Sequence, residues 1–450
     1  MLFSSLNFLF IFLPAFLGVY YLVPQRHRNW PLLAGSLVFY GYGLRARPWV
    51  MVLFLLLVCL TYVAGRGVEP EAKRPRAMLA ASLGIMAGCL LGFKYAGLFT
   101  THNPALPLGI SFFSFQMMAY IIDVYWGRIP AERSFRKLFT ALALFPKLIS
   151  GPLAPYGSIA RQMTQRSSTW QRFDYGLRDF ILGLGMKVLL ADQIGGIWRQ
   201  VEAIGIGSIS TPLAWLGIVS FSLQLYFDFY GYSLMAIGVG RMIGFRLPKN
   251  FVTPYASRSV SEFWRRWHIT LGRWFLEYIY IPLGGNRKGK LKEIRNLFIV
   301  WVLTGIWHGS TLNFLLWGLY IFLFMLIEKL WLEPYLEASP VWSHVYLLIV
   351  ILISWLIFAV TDLNQLGLYF TKLFPFFGGV QIPYGDALRM LEKYGVALLA
   401  GIIVCTPGFM RTWDKIRQNY LGTLFLVVIF WCAVYFLAAG LNDPFLYFSF

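Results

Sequence analysis

From residue 420 to residue 440 the chain carries no charged side chain. A helix rises 1.5 Å per residue, so about 20 apolar residues cross the roughly 30 Å hydrocarbon core of a bilayer. Long, predominantly apolar runs, some with a few charges, recur at 6–23, 48–64, 78–99, 174–198, 212–243 and 312–330. Every backbone polar group in lipid needs a partner within its own segment, so these runs predict helices. Composition agrees, with 58% hydrophobic and only 13% charged residues, about half the charge of a soluble domain. The expected fold is an all-α polytopic membrane protein, read as one domain over 1–450.

The formal charge of +19 raises the possibility of nucleic-acid binding. No basic tail or soluble basic domain carries it, however; Arg and Lys lie between apolar runs. That is the pattern of cytoplasmic loops facing anionic headgroups, so the bilayer is the expected partner and nucleic acid is not. Cys59, Cys89, Cys405 and Cys432 lie far apart within apolar segments. Such spacing is neither a disulfide framework nor a metal site, and it predicts packing residues. The first run lacks a basic leader region and a small-residue cleavage site, which predicts a retained helix.

Basic loops at 66–76 and 128–137 read as cytoplasmic, and counting spans from them places both termini outside. Residues 139–178 are interrupted by Pro146, Gly151, Pro152 and Pro155. Irregular backbone at membrane depth survives only inside protein or beside a water-filled cavity, so a re-entrant element is expected there. In the run 212–243, Gln224 and Asp228 are four residues apart and share a helix face, which should point inward. Asp228 reads either as a functional acid or as a paired structural anchor.

The most basic stretch is 241–273, with Arg265, Arg266 and Arg273 interleaved with Phe263, Trp264, Trp267 and Trp274. It reads as an amphipathic helix at the cytoplasmic interface, its N-terminal turn near Ser261 and Glu262. Further on, the runs 297–306 and 312–330 are joined only by Trp307, His308, Gly309 and Ser310. If both crossed fully, the acidic loop 328–337 would lie inside. The charge bias therefore predicts that one does not cross and that His308 sits near a break within the bilayer.

The segment 259–317 resembles the signature of the membrane-bound O-acyltransferases, in the bacterial branch containing the alginate O-acetyltransferase membrane subunit. The teichoic-acid D-alanyl transfer protein is a more distant relative. The resemblance rests on Ser259–His268, Tyr278–Arg287 and Leu303–Gly309, and on Gly109–Gln116, Phe145–Pro152, Leu225–Ser233 and Gly238–Tyr255. It implies roughly 10–12 transmembrane helices, with re-entrant and interfacial helices around a central tunnel. It also implies O-acyl transfer, most directly of acetyl, from a cytoplasmic thioester such as acetyl-CoA to an exported polysaccharide. An SGNH-hydrolase-like partner outside the bacterial cytoplasmic membrane would complete that transfer.

Acyl transfer needs a base to take a proton from an attacking hydroxyl, and histidine's pKa suits the task. From the residues alone, His308 is either that base or a histidine satisfied by backbone carbonyls; the resemblance implies the catalytic role. His268 reads as a second active-site group or as an interfacial side chain facing headgroups. Arg265 and Arg266, flanked by Trp264 and Trp267, suit either a phosphate-bearing donor or lipid phosphates. Asn286, in a glycine-rich turn without phosphate-loop spacing, is a candidate tunnel polar group with Gln224 and Asp228. No metal site and no bound cofactor are expected, and no Ser-His-Asp set with a nucleophile elbow is visible.

The chain ends Phe445, Leu446, Tyr447, Phe448, Ser449, Phe450. Interfacial aromatics explain this as a membrane belt. The segment also resembles the tail of the small single-span protein of teichoic-acid D-alanylation. By that resemblance the span and tail at 420–450 would be a fused partner, with Tyr447 carrying the acyl group on its phenol. A transporter or channel for a polysaccharide intermediate is the competing class, since broken helices and buried polar groups occur there too. A non-catalytic scaffold is a third reading, against which an intact His308 speaks. No internal repeat supports the transporter.

Overall fold

The computed structural model describes residues 1–99, 106–377, 383, 385–441 and 446. Most of these are helical, with no strand among them. Seven helices are long and apolar enough to cross a membrane: Trp49–Gly67, Pro75–Leu98, Trp170–Ile204, Thr211–Met242, Leu312–Ala338, Pro340–Ala359 and Tyr420–Ala438. The pair Gly385–Val404 and Pro407–Ile416, bent by 80° at its break, makes an eighth if counted as one span. Two shorter apolar helices, Phe8–Leu22 and Ile110–Tyr125, accompany them. Outward faces are apolar: Leu56, Val428 and Trp431 are more than half exposed. Water would penalise such surfaces and hydrocarbon does not. Cys59 and Cys432 are exposed free thiols rather than packing residues, and no disulfide occurs among the described residues.

The described residues divide into two compact units, 1–183 with 232–249, and 184–231 with 250–450. In the first, the proline-rich stretch gives short helices at Phe135–Ala143, Phe145–Leu148 and Tyr156–Gln165. Leu138, Phe145, Leu148 and Ile159 of this stretch are buried. The Lys147 ammonium, buried as well, bonds the Gln116 side chain. Irregular backbone here is enclosed by protein, the condition lipid imposes. Arg166 is tied to Tyr20 at 2.8 Å and to Asn29 at 2.7 Å.

The second unit contains both signature histidines. Its relevant helices are α1 (Thr211–Met242, whose first part belongs to this unit), α2 (Val260–Arg266), α3 (Ile269–Phe275), α4 (Lys290–His308), α5 (Leu312–Ile327) and α6 (Pro340–Ala359). Helices α4 and α5 form a hairpin that glycine makes possible. A Cβ on Gly318 would fall 2.5 Å from the Trp301 carbonyl oxygen, and one on Gly305 would fall 2.7 Å from that of Phe314. The backbones therefore approach more closely than any side chain allows. Helix α5 continues through a π turn at Glu328–Leu332, a local widening frequent at functional sites.

Candidate active site

The stretch expected to form one interfacial helix is broken in two. Ser259 begins α2 as a cap, its hydroxyl accepting from the Glu262 N–H at 3.0 Å, while Glu262 accepts from the Arg258 N–H at 2.8 Å. The buried Glu328 reaches the same end, accepting from the N–H groups of Val260 and Ser261 and from the Ser261 hydroxyl. A carboxylate facing the positive end of a helix and its unpaired donors is strongly favoured. Helix α2 stops at Arg266 because the next residues pair elsewhere. The Val252 N–H donates to the Arg266 carbonyl at 3.0 Å, and the Ile269 N–H to that of Asn250 at 2.9 Å.

His268 lies in this break in the left-handed region, at φ 44° and ψ 49°. A residue with a Cβ is uncommon there, and such strain persists only where its surroundings impose it. The Asn250 side chain does so: its Oδ1 accepts from the Thr270 N–H at 3.2 Å and from the Thr270 hydroxyl at 2.8 Å, and lies 3.3 Å from His268 Nδ1. The main-chain N–H can only donate, so the Asn250 atom is the oxygen. His268 Nδ1 therefore carries the proton, and Nε2 is the basic nitrogen. The ring stands edge-on to Phe229, centroids 4.6 Å apart, and is only 4% exposed. Burial disfavours the charged imidazolium and holds its pKa down to about 3, so His268 is neutral at working pH.

His308 is the last residue of α4. Its ring meets Trp317 and Phe358 edge-on, at centroid distances of 4.9 and 5.0 Å. The turn beyond it is pinned by the fully buried Asn313, whose amide donates to the carbonyls of Ile357 and Phe358, each at 3.1 Å. Those carbonyls belong to the last turn of α6, where helix geometry leaves acceptors unpaired. A sheet of indoles joins the region: Trp264 packs against Trp301 and Trp317, and Trp267 against Trp355, at centroid distances of 4.9–5.5 Å. The two Trp264 pairs are edge-to-face and Trp267–Trp355 is tilted; aromatic pairs contribute about 0.5–1.5 kcal/mol each beyond area burial.

Both histidines line one cavity of about 990 Å³. One part of its wall is apolar, made by Leu297, Val300, Trp301, Trp317 and Phe358, the last two meeting the His308 ring. Another part is charged, with Arg258, Arg265, Arg273, Lys329, Glu293 and Glu333. Glu293 pairs with Lys329. Arg258, Arg265 and Arg273 make no salt bridge among the described residues, leaving three guanidiniums for an anionic ligand. The cavity thus pairs guanidiniums with an apolar wall that holds a histidine. No cluster of potential metal ligands is present among the described residues.

Of the residues singled out in the sequence, Trp264, Arg265, Trp267, His268 and His308 share this wall. Arg266 does not; its guanidinium is committed to Glu262, one turn back. Asn286 is exposed in the turn before α4 and is not part of the wall. The buried amide of that turn is Asn296, which donates to the Gly285 carbonyl at 2.9 Å. Gln224 and Asp228 point inward, 7% and 1% exposed, as their spacing requires. Asp228 is paired, 2.7 Å from Lys187, which also binds Asp192 at 2.6 Å. Tyr447 lies outside the described residues. Asn250, Glu328 and Asn313 were not singled out, each being a lone polar residue far in sequence from what it holds. Lys187 did carry a signal, as a single charge in an apolar run.

The model of the membrane-bound O-acyltransferase family matches residues 134–370. A probable alginate O-acetylase AlgI of Pseudomonas syringae pv. tomato is 39% identical over 428 residues, covering 90% of this chain and 79% of the relative. The peptidoglycan O-acetyltransferase of Helicobacter pylori is 33% identical, covering 71% of this chain and 68% of the relative. The teichoic acid D-alanyltransferase of Bacillus subtilis is 28% identical over 49% of this chain and 58% of its own length. With a family model spanning more than half its length and such relatives along nine-tenths of it, the chain belongs to the membrane-bound O-acyltransferase family.

Proposed function

We propose that this enzyme takes an acyl group, acetyl in the first instance, from a cytoplasmic thioester such as acetyl-CoA and passes it across the bacterial cytoplasmic membrane to an exported polysaccharide. The observation that carries this reading is the placing of His268 and His308 in one cavity with three unpaired guanidiniums and an apolar compartment. Arg258, Arg265 and Arg273 suit the phosphates of the donor. The indole-lined compartment around His308 suits the acyl end and excludes water, which would otherwise hydrolyse the thioester.

His308 acts as general base: it takes the proton of the attacking hydroxyl as that oxygen bonds to the thioester carbon. The tetrahedral intermediate collapses with loss of the thiolate, which recovers the proton from His308. His268, held as the Nδ1–H tautomer by Asn250, orients the donor by accepting a hydrogen bond at Nε2. The relatives named for alginate, peptidoglycan and teichoic acid suggest a cell-envelope polymer as final acceptor. A hydroxyl that meets the donor and then faces outside is best supplied by the chain itself, and Tyr447 is that group in this reading. Its phenoxide, with an ordinary pKa near 10, leaves more readily than an alkoxide. An SGNH-hydrolase-like protein outside, where both termini of this chain lie, completes transfer to the polymer.

The test uses inside-out membrane vesicles containing the enzyme and radiolabelled acetyl-CoA. The expected result is acetyl label on the protein that is alkali-labile, as an ester is, and absent in Tyr447→Phe. Labelling of Tyr447→Phe at the wild-type level would refute the relay, and failure of any acetyl thioester to label vesicles or polymer would refute the donor.

A further inference from the structure

Beyond the final span, Tyr420–Ala438, the chain turns at Gly440, whose φ of 69° is the left-handed conformation glycine adopts freely. After Leu441 the next described residue is Leu446, whose N–H donates to Asp228 Oδ2 at 2.6 Å. Asp228 sits near the middle of the membrane-crossing helix Thr211–Met242. The Leu446 amide is therefore held at the level of Asp228 in that helix. The final span packs against the π turn Met186–Ala191, which carries Lys187.

The anchor is a buried charge cluster. Lys187 lies 2.7 Å from Asp228 Oδ1 and 2.6 Å from Asp192 Oδ1, with side chains 4%, 2% and 1% exposed respectively. A buried carboxylate needs a donor at each oxygen, or its desolvation is uncompensated. Lys187 makes an ion pair with one oxygen of Asp228, and the Leu446 N–H donates to the other. A main-chain contact fixes register independently of side-chain identity, and the residue after the anchored amide is Tyr447.

We propose that Asp228 is a positioning residue for the C-terminal segment: its carboxylate, held by Lys187, clamps the Leu446 amide at membrane depth and sets the register of Tyr447. The clamp is a structural claim about Leu446; its consequence for acyl transfer rests on the reading of Tyr447 as acyl carrier.

Hydrogen–deuterium exchange of the full-length protein in lipid nanodiscs tests the clamp, read on the C-terminal peptide from residue 441 onward. Asp228→Leu removes the acceptor while Lys187 retains Asp192, leaving one cation paired with one carboxylate; Asp228→Asn is the milder variant should the first not fold. Loss of a bond to a charged acceptor should accelerate exchange of this peptide about tenfold or more, while peptides of the other spans keep wild-type rates. Tyr447→Phe should leave the exchange unchanged. Equal exchange in wild type and the folded Asp228 variants overturns the clamp, whatever the transfer rate. Accelerated exchange with undiminished polymer acetylation supports the clamp and overturns the relay reading of Tyr447.

Discussion

Asn250 Oδ1 lies 3.3 Å from His268 Nδ1 while accepting two hydrogen bonds from Thr270. One carboxamide therefore stabilises a strained backbone turn and selects the imidazole tautomer at the same time. The two tasks cannot be separated by moving the ring alone, because both depend on the same oxygen.

Replacing Asn250 by Leu, which keeps the volume and removes the acceptor, should lower acyl transfer at least about tenfold, since three donors lose their partner at roughly 1 kcal/mol each. The loss should appear in kcat with the protein still folded in detergent. Wild-type turnover in folded Asn250→Leu would show that the tautomer is not held by this contact.

The depressed pKa of His268 makes a signed prediction about stability. The folded-state pKa of about 3 lies below the ordinary value of 6.5. Between these values the unfolded chain takes up a proton at this position and the folded chain does not, so stability falls as pH drops through that window. Above pH 6.5 the histidine contributes no pH dependence. His268→Gln should therefore show a shallower fall in Tm than the wild type between pH 6.5 and 4. Parallel curves for the two proteins would mean that His268 is not buried in its neutral form.

Glu328 holds the first turn of α2 from a helix that follows it in sequence by more than sixty residues. Glu328→Ala leaves two helix N–H groups and a hydroxyl without their acceptor and should cost about 1–3 kcal/mol of stability. Because Trp264 and Arg265 ride on α2, the KM for the donor should rise more than kcat falls. A variant with unchanged Tm and unchanged KM would remove Glu328 from the account.

The parts of this protein legible in its sequence share one physical property: they are costly where they stand. His308 in an almost chargeless run, and Asp228 with Gln224 on one face of an apolar helix, are expensive at membrane depth, so position alone marks them. The same rule reaches Lys187, whose partner Asp228 lies forty-one positions further along the chain. The break at His268 was not legible. Its cause is a side chain eighteen residues earlier, and the local pattern of Arg and Trp suits a continuous amphipathic helix. Asn250 and Asn313 look like ordinary polar residues until the carbonyls and amides they serve are brought beside them. Asn286 shows the converse: the glycines beside it read as a tight turn, which is what forms, but as a candidate tunnel group Asn286 is exposed and away from the cavity.

The central claim is that His308 is the base. Its most direct test is the rate of acetyl transfer from a thioester donor by His308→Ala in proteoliposomes, at matched protein content and with His308→Gln as a variant closer in volume. Loss of a general base should reduce the rate about 10²–10⁴-fold in both, with insertion and Tm near wild type. Transfer within about threefold of wild type in stably inserted His308→Ala would contradict the claim and return His308 to the packing of its aromatic neighbours.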